Sequence, residues 1–368
     1  MTIPAPIGYE ATSAENELKS TPTIGLPVVL AFGMLVFGLI AARAAGLNPN
    51  GLFLPYMVTG MGVTAFALLI SAFAWVIGLA KVGADRPLQL IRRRIQERWT
   101  LLLLPTLVFP LFFVGYTAAK AAIPSIVGYT WDVFWSEADR LLFGNDAWRL
   151  AQRLLSGVPT APLEFVYTML WAGMLLFGTA FVAINASRQK VVHFYSALFL
   201  SWLLAGALLA YGLSAAGPVF AGYFDPRFVN ESREIRSLLG HSLNHSGPVM
   251  VTQQFLAAAV RSPMIYEGSG ISAMPSMHVA IVTIYVCAAR RTCWQWPALI
   301  YWAAIFFLSA YFGYHYWIDG IAATAVAVGC WYASELLLRI KALPIAGLRH
   351  EAASSRDPAR FVHAGDQN

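Results

Sequence analysis

Charged residues are scarce in this sequence of 368 residues. Asp, Glu, Lys and Arg make up 12% of the chain, and hydrophobic residues make up 58%. Soluble domains contain about a quarter of charged residues, so a soluble domain of this length could not cover its surface with so few. The lysines and arginines form no cluster interleaved with aromatic residues, which argues against a nucleic-acid partner. The composition therefore predicts an integral membrane protein.

Cysteines are also few. The chain has three, Cys287, Cys293 and Cys330, and no two of them have the CxxC spacing. None stands at a metal-ligand spacing from a histidine. The sequence therefore predicts no disulfide framework, no bound metal and no cofactor.

Both ends of the chain are polar. Residues 1–22 lack the basic start and short apolar core of a signal peptide. Residues 350–368 are also polar, and both ends are predicted to be flexible cytoplasmic tails. The remaining residues, 23–349, are predicted to form a single integral membrane domain.

Long strictly alternating segments, which are typical of membrane barrels, are absent. The chain instead has eight apolar runs that are long enough, or nearly so, to cross a bilayer as helices. They are 23–46, 55–80, 101–119, 163–185, 193–216, 276–289, 296–314 and 317–338. The prediction is an all-α polytopic bundle of about eight transmembrane helices, of which the sixth is unusually short.

Basic residues concentrate in four segments that share one side if eight helices alternate across the membrane. These are Lys81, Arg86, Arg92, Arg93, Arg94 and Arg98 after run two, Arg188 and Lys190 after run four, Arg290 and Arg291 after run six, and Arg339, Lys341 and Arg349 after run eight. Because cytoplasmic loops are rich in Lys and Arg, this side is predicted to be cytoplasmic. The start of run six and the end of run seven then share the extracytoplasmic side.

Two short motifs lie at that extracytoplasmic side. PSMH (Pro275 to His278) begins run six, and HYWID (His315 to Asp319) joins run seven to run eight. Ionisable residues next to a membrane span are costly, so they are functional candidates by default. The chain crosses the membrane and returns between the motifs, so the two histidines lie at one depth and can face each other.

Two imidazoles and a carboxylate can break a phosphate ester. If a helix runs through His315 and Asp319, their spacing places both side chains on one face. A carboxylate that accepts a hydrogen bond from one ring nitrogen makes the other nitrogen a better nucleophile. One imidazole can then attack phosphorus to form a phosphohistidine while the other protonates the leaving oxygen. Ser276 and the free N–H groups at the start of run six can hold phosphate oxygens.

Simpler roles stay open for the same residues. A histidine at a membrane border can be an interface residue. Asp319 and Ser276 can each cap the helix that follows, and capping does not exclude a part in catalysis.

The two motifs resemble those of the type 2 phosphatidic acid phosphatase (PAP2) superfamily, which has a PSGH motif and a later SRxxxxxHxxxD motif. The sequence is similar to the inositolphosphotransferase branch, which includes inositol phosphorylceramide synthases. There a larger apolar residue, as Met277 here, commonly replaces the glycine. The resemblance implies a PAP2-like fold without a metal. It makes His315 the nucleophile, with Asp319 as its orienting partner. It makes His278 the general acid and Ser276 a phosphate contact.

The cationic half of the site departs from the family pattern. Ser309 or Ala310 stands where the third motif has an arginine. The tripeptide DRP at 85–87 is too close to Lys81 for the first motif, KxxxxxxRP, and lies on the predicted cytoplasmic side. We expect Lys120, at the outer end of run three, to act as the first-motif lysine. Arg140 is the candidate to replace the missing guanidinium.

Both cations also have an alternative role. Lys120 can snorkel from the end of its helix, and Arg140 can pair with Asp139 or Glu137.

These observations lead to a membrane-embedded enzyme that transfers a lipid phospho-headgroup through a phosphohistidine, with an inositolphosphotransferase-like activity. The expected partners are a phospholipid or lipid-phosphate substrate, a hydroxyl acceptor or water, and membrane lipids. The architecture and the family branch favour the bacterial inner membrane. One alternative is a lipid or isoprenyl phosphate phosphatase that uses water. Another is an inactive transporter or scaffold with the same fold, because paired His and Asp also serve as proton relays.

Overall fold

The structure is a computed structural model that describes residues 24–242 and 247–354. Within these ranges the chain forms helices and no strand. The predicted tail at 1–22 lies outside the described residues. So does the tail at 350–368, except for 350–354, which continue the last helix.

The helices follow the apolar runs, with shorter helices between them. In chain order they are α1 (Gly25–Ala44), α2 (Phe53–Lys81), α3 (Pro87–Glu97), α4 (Trp99–Ile126), α5 (Asp132–Phe143), α6 (Ala147–Leu154), α7 (Thr160–Asn185), α8 (Arg188–Gly212), α9 (Val229–Ser242), α10 (Pro248–Ala259), α11 (Met277–Ala289), α12 (Gln295–Tyr311) and α13 (Trp317–Ser354).

The all-helical membrane architecture is confirmed. Among the described residues, six helices are long and apolar enough to cross a bilayer: α1, α2, α4, α7, α8 and α13. The apolar helix α11 has 13 residues and α12 has 17. Because a span needs roughly 20 residues, the number of eight spans stays a prediction.

Three of the long helices contain wider turns with i→i+5 hydrogen bonds. They lie at Leu104–Val108 in α4, at Val166–Leu170 and Met174–Gly178 in α7, and at Leu204–Leu209 in α8. Such π-turns are rare and often occur at functional sites. In α4 and α7 they supply residues to the cavity described below.

Helices α1 and α4 are in direct backbone contact through two glycines. A Cβ on Gly38 would collide with the backbone of Gly115, and a Cβ on Gly115 would collide with the backbone of Leu35. Small residues permit this approach, which is a common way to pack helices in membranes. The pair fixes α4, and therefore Lys120, relative to the rest of the bundle.

The short helices α5, α6, α9 and α10 pack together over one end of the bundle. Trp148 of α6 donates its Nε1–H to Glu231 of α9 at 2.8 Å, and Gln253 of α10 donates to the Phe312 carbonyl at the end of α12 at 3.0 Å. This end contains the start of α11 and the turn between α12 and α13. Helix α3 lies at the other end, where Arg98 donates to the carbonyls of Ala183 and Ala186.

Candidate functional site

The structure brings the two motif histidines together. His278 is the second residue of α11, and His315 lies in the turn that precedes α13. Their ring centroids are 5.8 Å apart, and the ring planes are inclined at 64°. The side chain of His315 is buried. A single phosphorus atom can therefore contact one ring while its leaving oxygen contacts the other.

A backbone carbonyl sets the tautomer of His315. Its Nδ1 lies 2.8 Å from the Ala273 carbonyl oxygen. A carbonyl can only accept, so Nδ1 carries the proton and Nε2 keeps its lone pair in the neutral ring. Burial lowers the pKa of His315 to about 3; the hydrogen bond to Ala273 opposes this shift, and the positive charge of Lys120 adds to it. The ring is therefore neutral at ordinary pH, as a nucleophile must be.

Asp319 lies near His315, but its nearer contact is with the backbone. Its Oδ2 is 3.5 Å from His315 Nδ1, beyond the 2.8 Å of the Ala273 carbonyl. The same oxygen accepts the Tyr316 N–H at 2.9 Å, and Oδ1 has no partner in the described part of the chain. Helix α13 begins at Trp317, so the two side chains do not share a helix face. Asp319 both caps α13 and places a carboxyl group beside the ring.

Two aromatic rings of α7 fix the orientation of His278. Tyr167 stacks on the imidazole with centroids 4.7 Å apart and planes inclined at 13°. Trp171, four residues later, packs on the imidazole at 4.2 Å and donates its Nε1–H to the His278 carbonyl at 3.2 Å. Both rings lie at or beside the first π-turn of α7. That turn therefore places His278 relative to His315.

Lys120 is the cation of the site. It lies near the end of α4 and lines the same cavity as both histidines. Its charge also influences both imidazoles. No salt bridge within residues 24–242 and 247–339 involves Lys120. Its ammonium group is therefore available for an anionic ligand.

Ser276 and Arg140 do not line this cavity. Ser276 is fully buried, and its hydroxyl caps α11 by accepting the Val279 N–H at 3.5 Å. Arg140, on α5, donates to Asp146 at 2.5 Å and lies 3.8 Å from Glu231. Those partners, rather than Asp139 or Glu137, occupy its guanidinium.

Among the residues that the structure describes, no guanidinium in the cavity wall replaces the missing arginine of the third motif. Ser309 is buried, and its hydroxyl donates to the Phe306 carbonyl at 2.7 Å. Its own carbonyl accepts the N–H groups of Tyr314 and His315. This position therefore shapes the catalytic turn and supplies no charge.

A cavity of about 450 Å³ extends from the histidines between α2, α4 and α7. Most of its wall is apolar, and its polar residues include Lys120 and the two histidines. Tyr167 and Thr179 both line it and are twelve residues apart on α7, which corresponds to roughly 18 Å along the helix. This combination of an apolar wall with a few converging polar groups is typical of a small-molecule site.

Sequence reasoning missed four residues of this region. Tyr167 and Trp171 carry no distinguishing signal beyond their i, i+4 spacing in an apolar run. Asp132 and Asp139 are buried on one face of α5 and contact the turns around the site. Their spacing of seven residues within an amphipathic segment was a usable signal, because it places two acids on one helix face.

The fold and this site together define an all-helical membrane protein with a pair of histidines at the head of an apolar cavity. A family model described as PAP2 superfamily matches residues 136–333, more than half of the chain. The chain belongs to the PAP2 superfamily. Membership supports phosphatase or phosphotransferase activity in general. No curated protein and no solved structure matches the chain.

Proposed function

We propose that this protein transfers a lipid phospho-headgroup through a phosphohistidine on His315. The observation that carries the proposal is the convergence of His315, His278 and Lys120 on one end of an apolar cavity. The apolar wall suits a lipid chain, and the three polar side chains suit its phosphate.

In the first step, Nε2 of His315 attacks phosphorus and the bond from phosphorus to the lipid oxygen breaks. His278, in its protonated form, gives its proton to the leaving oxygen, so a lipid with a free hydroxyl departs. The attacking ring gains positive charge. The Ala273 carbonyl oxygen, 2.8 Å from Nδ1, stabilises that charge, and the carboxyl group of Asp319 lies 3.5 Å from the same nitrogen.

In the second step, the hydroxyl of an acceptor attacks the phosphohistidine. The now neutral His278 takes the hydroxyl proton, the P–N bond breaks, and His315 returns to its neutral form. Protons and electrons balance over the two steps without a metal. Water in place of the acceptor turns the same chemistry into a phosphatase reaction.

The charge of the site favours a phosphodiester as the donor. Lys120 is the one lysine or arginine among the described residues that line the cavity. A phosphomonoester carries a charge of about −1.5 to −2 near pH 7, whereas a diester carries about −1. With His278 protonated for the first step and Glu267 also lining the cavity, the ionised side chains sum to a charge of +1, which balances the diester. A diester also leaves the headgroup attached to the phosphorus on His315, as headgroup transfer requires.

The distribution of basic residues supports a site on the extracytoplasmic side. Helix α3 and its flanking segment carry Lys81, Arg86 and Arg92 to Arg94 at the end of the molecule away from the histidines. By the preference of Lys and Arg for cytoplasmic loops, we assign that end to the cytoplasm.

The test uses purified protein in nanodiscs with a phospholipid labelled in its phosphate. After a rapid quench we expect label on the wild-type protein in a linkage that is stable to base and labile to acid. His315→Ala is expected to abolish the label and His278→Ala to slow its appearance. The exposed His241, on α9, gives the control His241→Ala, which is expected to label normally.

Three outcomes decide among the candidates. Label on His315→Ala would refute the proposed nucleophile. Faster reaction with a phosphomonoester than with the diester of the same chains, together with phosphate release, would favour the phosphatase. Lipid movement that survives all three substitutions, without any labelling, would favour the transporter.

A further inference from the structure

The outer helix α5 carries two buried aspartates beside the catalytic turn. Asp132 and Asp139 are seven residues apart, so two helical turns place them on one face, with Trp135 and Ser136 between them. Neither aspartate is more than 3% exposed. Buried carboxylates are costly unless they accept hydrogen bonds, so the bonds that they accept identify their role.

Asp139 caps α13 although it belongs to another helix. Its two oxygens accept the N–H groups of Trp317 and Ile318, each at 3.0 Å. Tyr316, the residue before α13, has no short side-chain oxygen of the kind that normally caps a helix. Asp139 supplies that oxygen instead. The bonds fix the backbone two and three residues after His315.

Asp132 ties the segment that follows α8 to the same turn. Its Oδ2 accepts the Ala216 N–H at 2.9 Å, and its Oδ1 accepts the Gly217 N–H at 2.8 Å. The Tyr316 hydroxyl also donates to Oδ1, at 3.1 Å. The carboxylate of Asp132 therefore holds both the backbone at 216–217 and the side chain of Tyr316, the residue after His315.

A second path connects α5 with the imidazole itself. Asp132 holds Ala216, and the adjacent Ala215 carbonyl accepts the Ala273 N–H at 2.8 Å. The Ala273 carbonyl in turn accepts from His315 Nδ1 at 2.8 Å. Helix α5 thus fixes both the backbone that carries His315 and the carbonyl that orients its ring.

We propose that Asp132 and Asp139 are positioning residues, and that α5 holds the His315 ring in the orientation that phosphoryl transfer requires. The inference rests on the proposed function, because it assumes that His315 is the nucleophile. Neither aspartate lines the lipid cavity, so each acts through His315. A displacement of about 1 Å at a reacting group can cost roughly 100-fold in rate.

The main test is Asp139→Asn, which keeps one acceptor oxygen and turns an NH2 group toward the second backbone N–H. We expect kcat and the single-turnover rate of His315 labelling to fall about 10- to 100-fold. KM for the lipid is expected to stay unchanged, because Trp317 and Ile318, whose N–H groups Asp139 holds, do not line the cavity. Asp132→Asn is expected to lower kcat and the labelling rate in the same direction.

Arg98 provides the control for loss of stability. It donates to the carbonyls of Ala183 and Ala186 at the other end of the bundle, and none of these three residues lines the cavity. Arg98→Gln is therefore expected to lose stability while keeping wild-type kcat. If Asp139→Asn does not fold, Asp139→Glu, which retains both oxygens, takes its place.

The outcomes separate this inference from the proposed function. Wild-type protein that never labels on His315 overturns both. Normal labelling in the wild type together with unchanged kcat in Asp132→Asn and Asp139→Asn overturns the inference alone. An equal loss of kcat in Asp139→Asn and Arg98→Gln also overturns it, because the effect would then be general loss of stability. A loss of kcat confined to the α5 variants supports it.

Discussion

Lys120→Met removes the positive charge of the cavity while keeping a side chain of similar length. In the proposed reaction, Lys120 balances the charge of the phosphate as it passes to His315. The alternative role for Lys120 is to snorkel from the end of α4, which requires no ligand. The substitution therefore distinguishes an electrostatic contact with the substrate from a membrane-border lysine.

The size of the expected effect follows from the charge balance. Two unit charges 4 Å apart interact by about 4 kcal/mol at an effective dielectric constant of about 20. Removing one preorganised group that stabilises a transition state typically costs about 100- to 1,000-fold in rate. We expect kcat/KM of Lys120→Met to fall within that range. Lys120→Arg keeps the charge with a different geometry and is expected to lose less.

The assay measures headgroup transfer from a labelled phosphodiester lipid in nanodiscs at fixed lipid composition. Arg153→Met is the matched control, because Arg153 is an exposed cation on α6 and does not line the cavity. Its loss should change kcat/KM little, since exposed charges are screened by salt. Wild-type activity in Lys120→Met, or equal losses in Lys120→Met and Arg153→Met, would refute the charge argument.

Three further predictions concern acidity, orientation and packing. Because burial lowers the pKa of His315 to about 3, the nucleophile stays neutral as the pH falls from 7 to 5. We therefore expect no loss of kcat/KM for a diester over that interval in Asp139→Asn, which lacks the α5 carboxyl whose pKa burial raises to about 7, and a steep loss in that variant would show a histidine of ordinary pKa. On intact cells, an impermeant maleimide should label the variant Glu267→Cys, whose new cysteine lies at the cavity. The exposed Cys293 should react only in permeabilised cells. The reverse result would contradict the proposed topology. Gly115→Ala should lower the midpoint of thermal unfolding, because overpacking costs about 1–3 kcal/mol. Gly33→Ala is the control and should leave the midpoint unchanged, because its Cβ would meet no atom within 4 Å. Equal midpoints for the two variants would contradict the close contact of α1 and α4.

Much of the fold could be predicted because lipid leaves the backbone few choices. An apolar run of sufficient length has to be a helix, and the observed α1, α2, α4, α7, α8 and α13 follow six of the predicted runs. The superfamily was also predicted correctly, from PSMH and HYWID. The inositolphosphotransferase branch stays a prediction.

The geometry of the site was harder to predict because its contacts are distant in sequence. Asp139 is 178 and 179 residues from the backbone groups that it caps. The Ala273 carbonyl, rather than Asp319, makes the shorter contact with His315, and no sequence spacing indicates which backbone oxygen a ring will meet. The predicted phosphate contacts Ser276 and Arg140 have other partners for the same reason. Local chemistry identifies candidate groups, and tertiary packing selects among them.

The boundary of the family match divides the cavity unequally. Both histidines lie within 136–333, whereas Lys120 and the walls contributed by α2 and α4 precede it. We therefore expect that exchanging the residues of α2 and α4 that line the cavity, with Lys120 kept, would change the preferred lipid while leaving bond breaking itself intact.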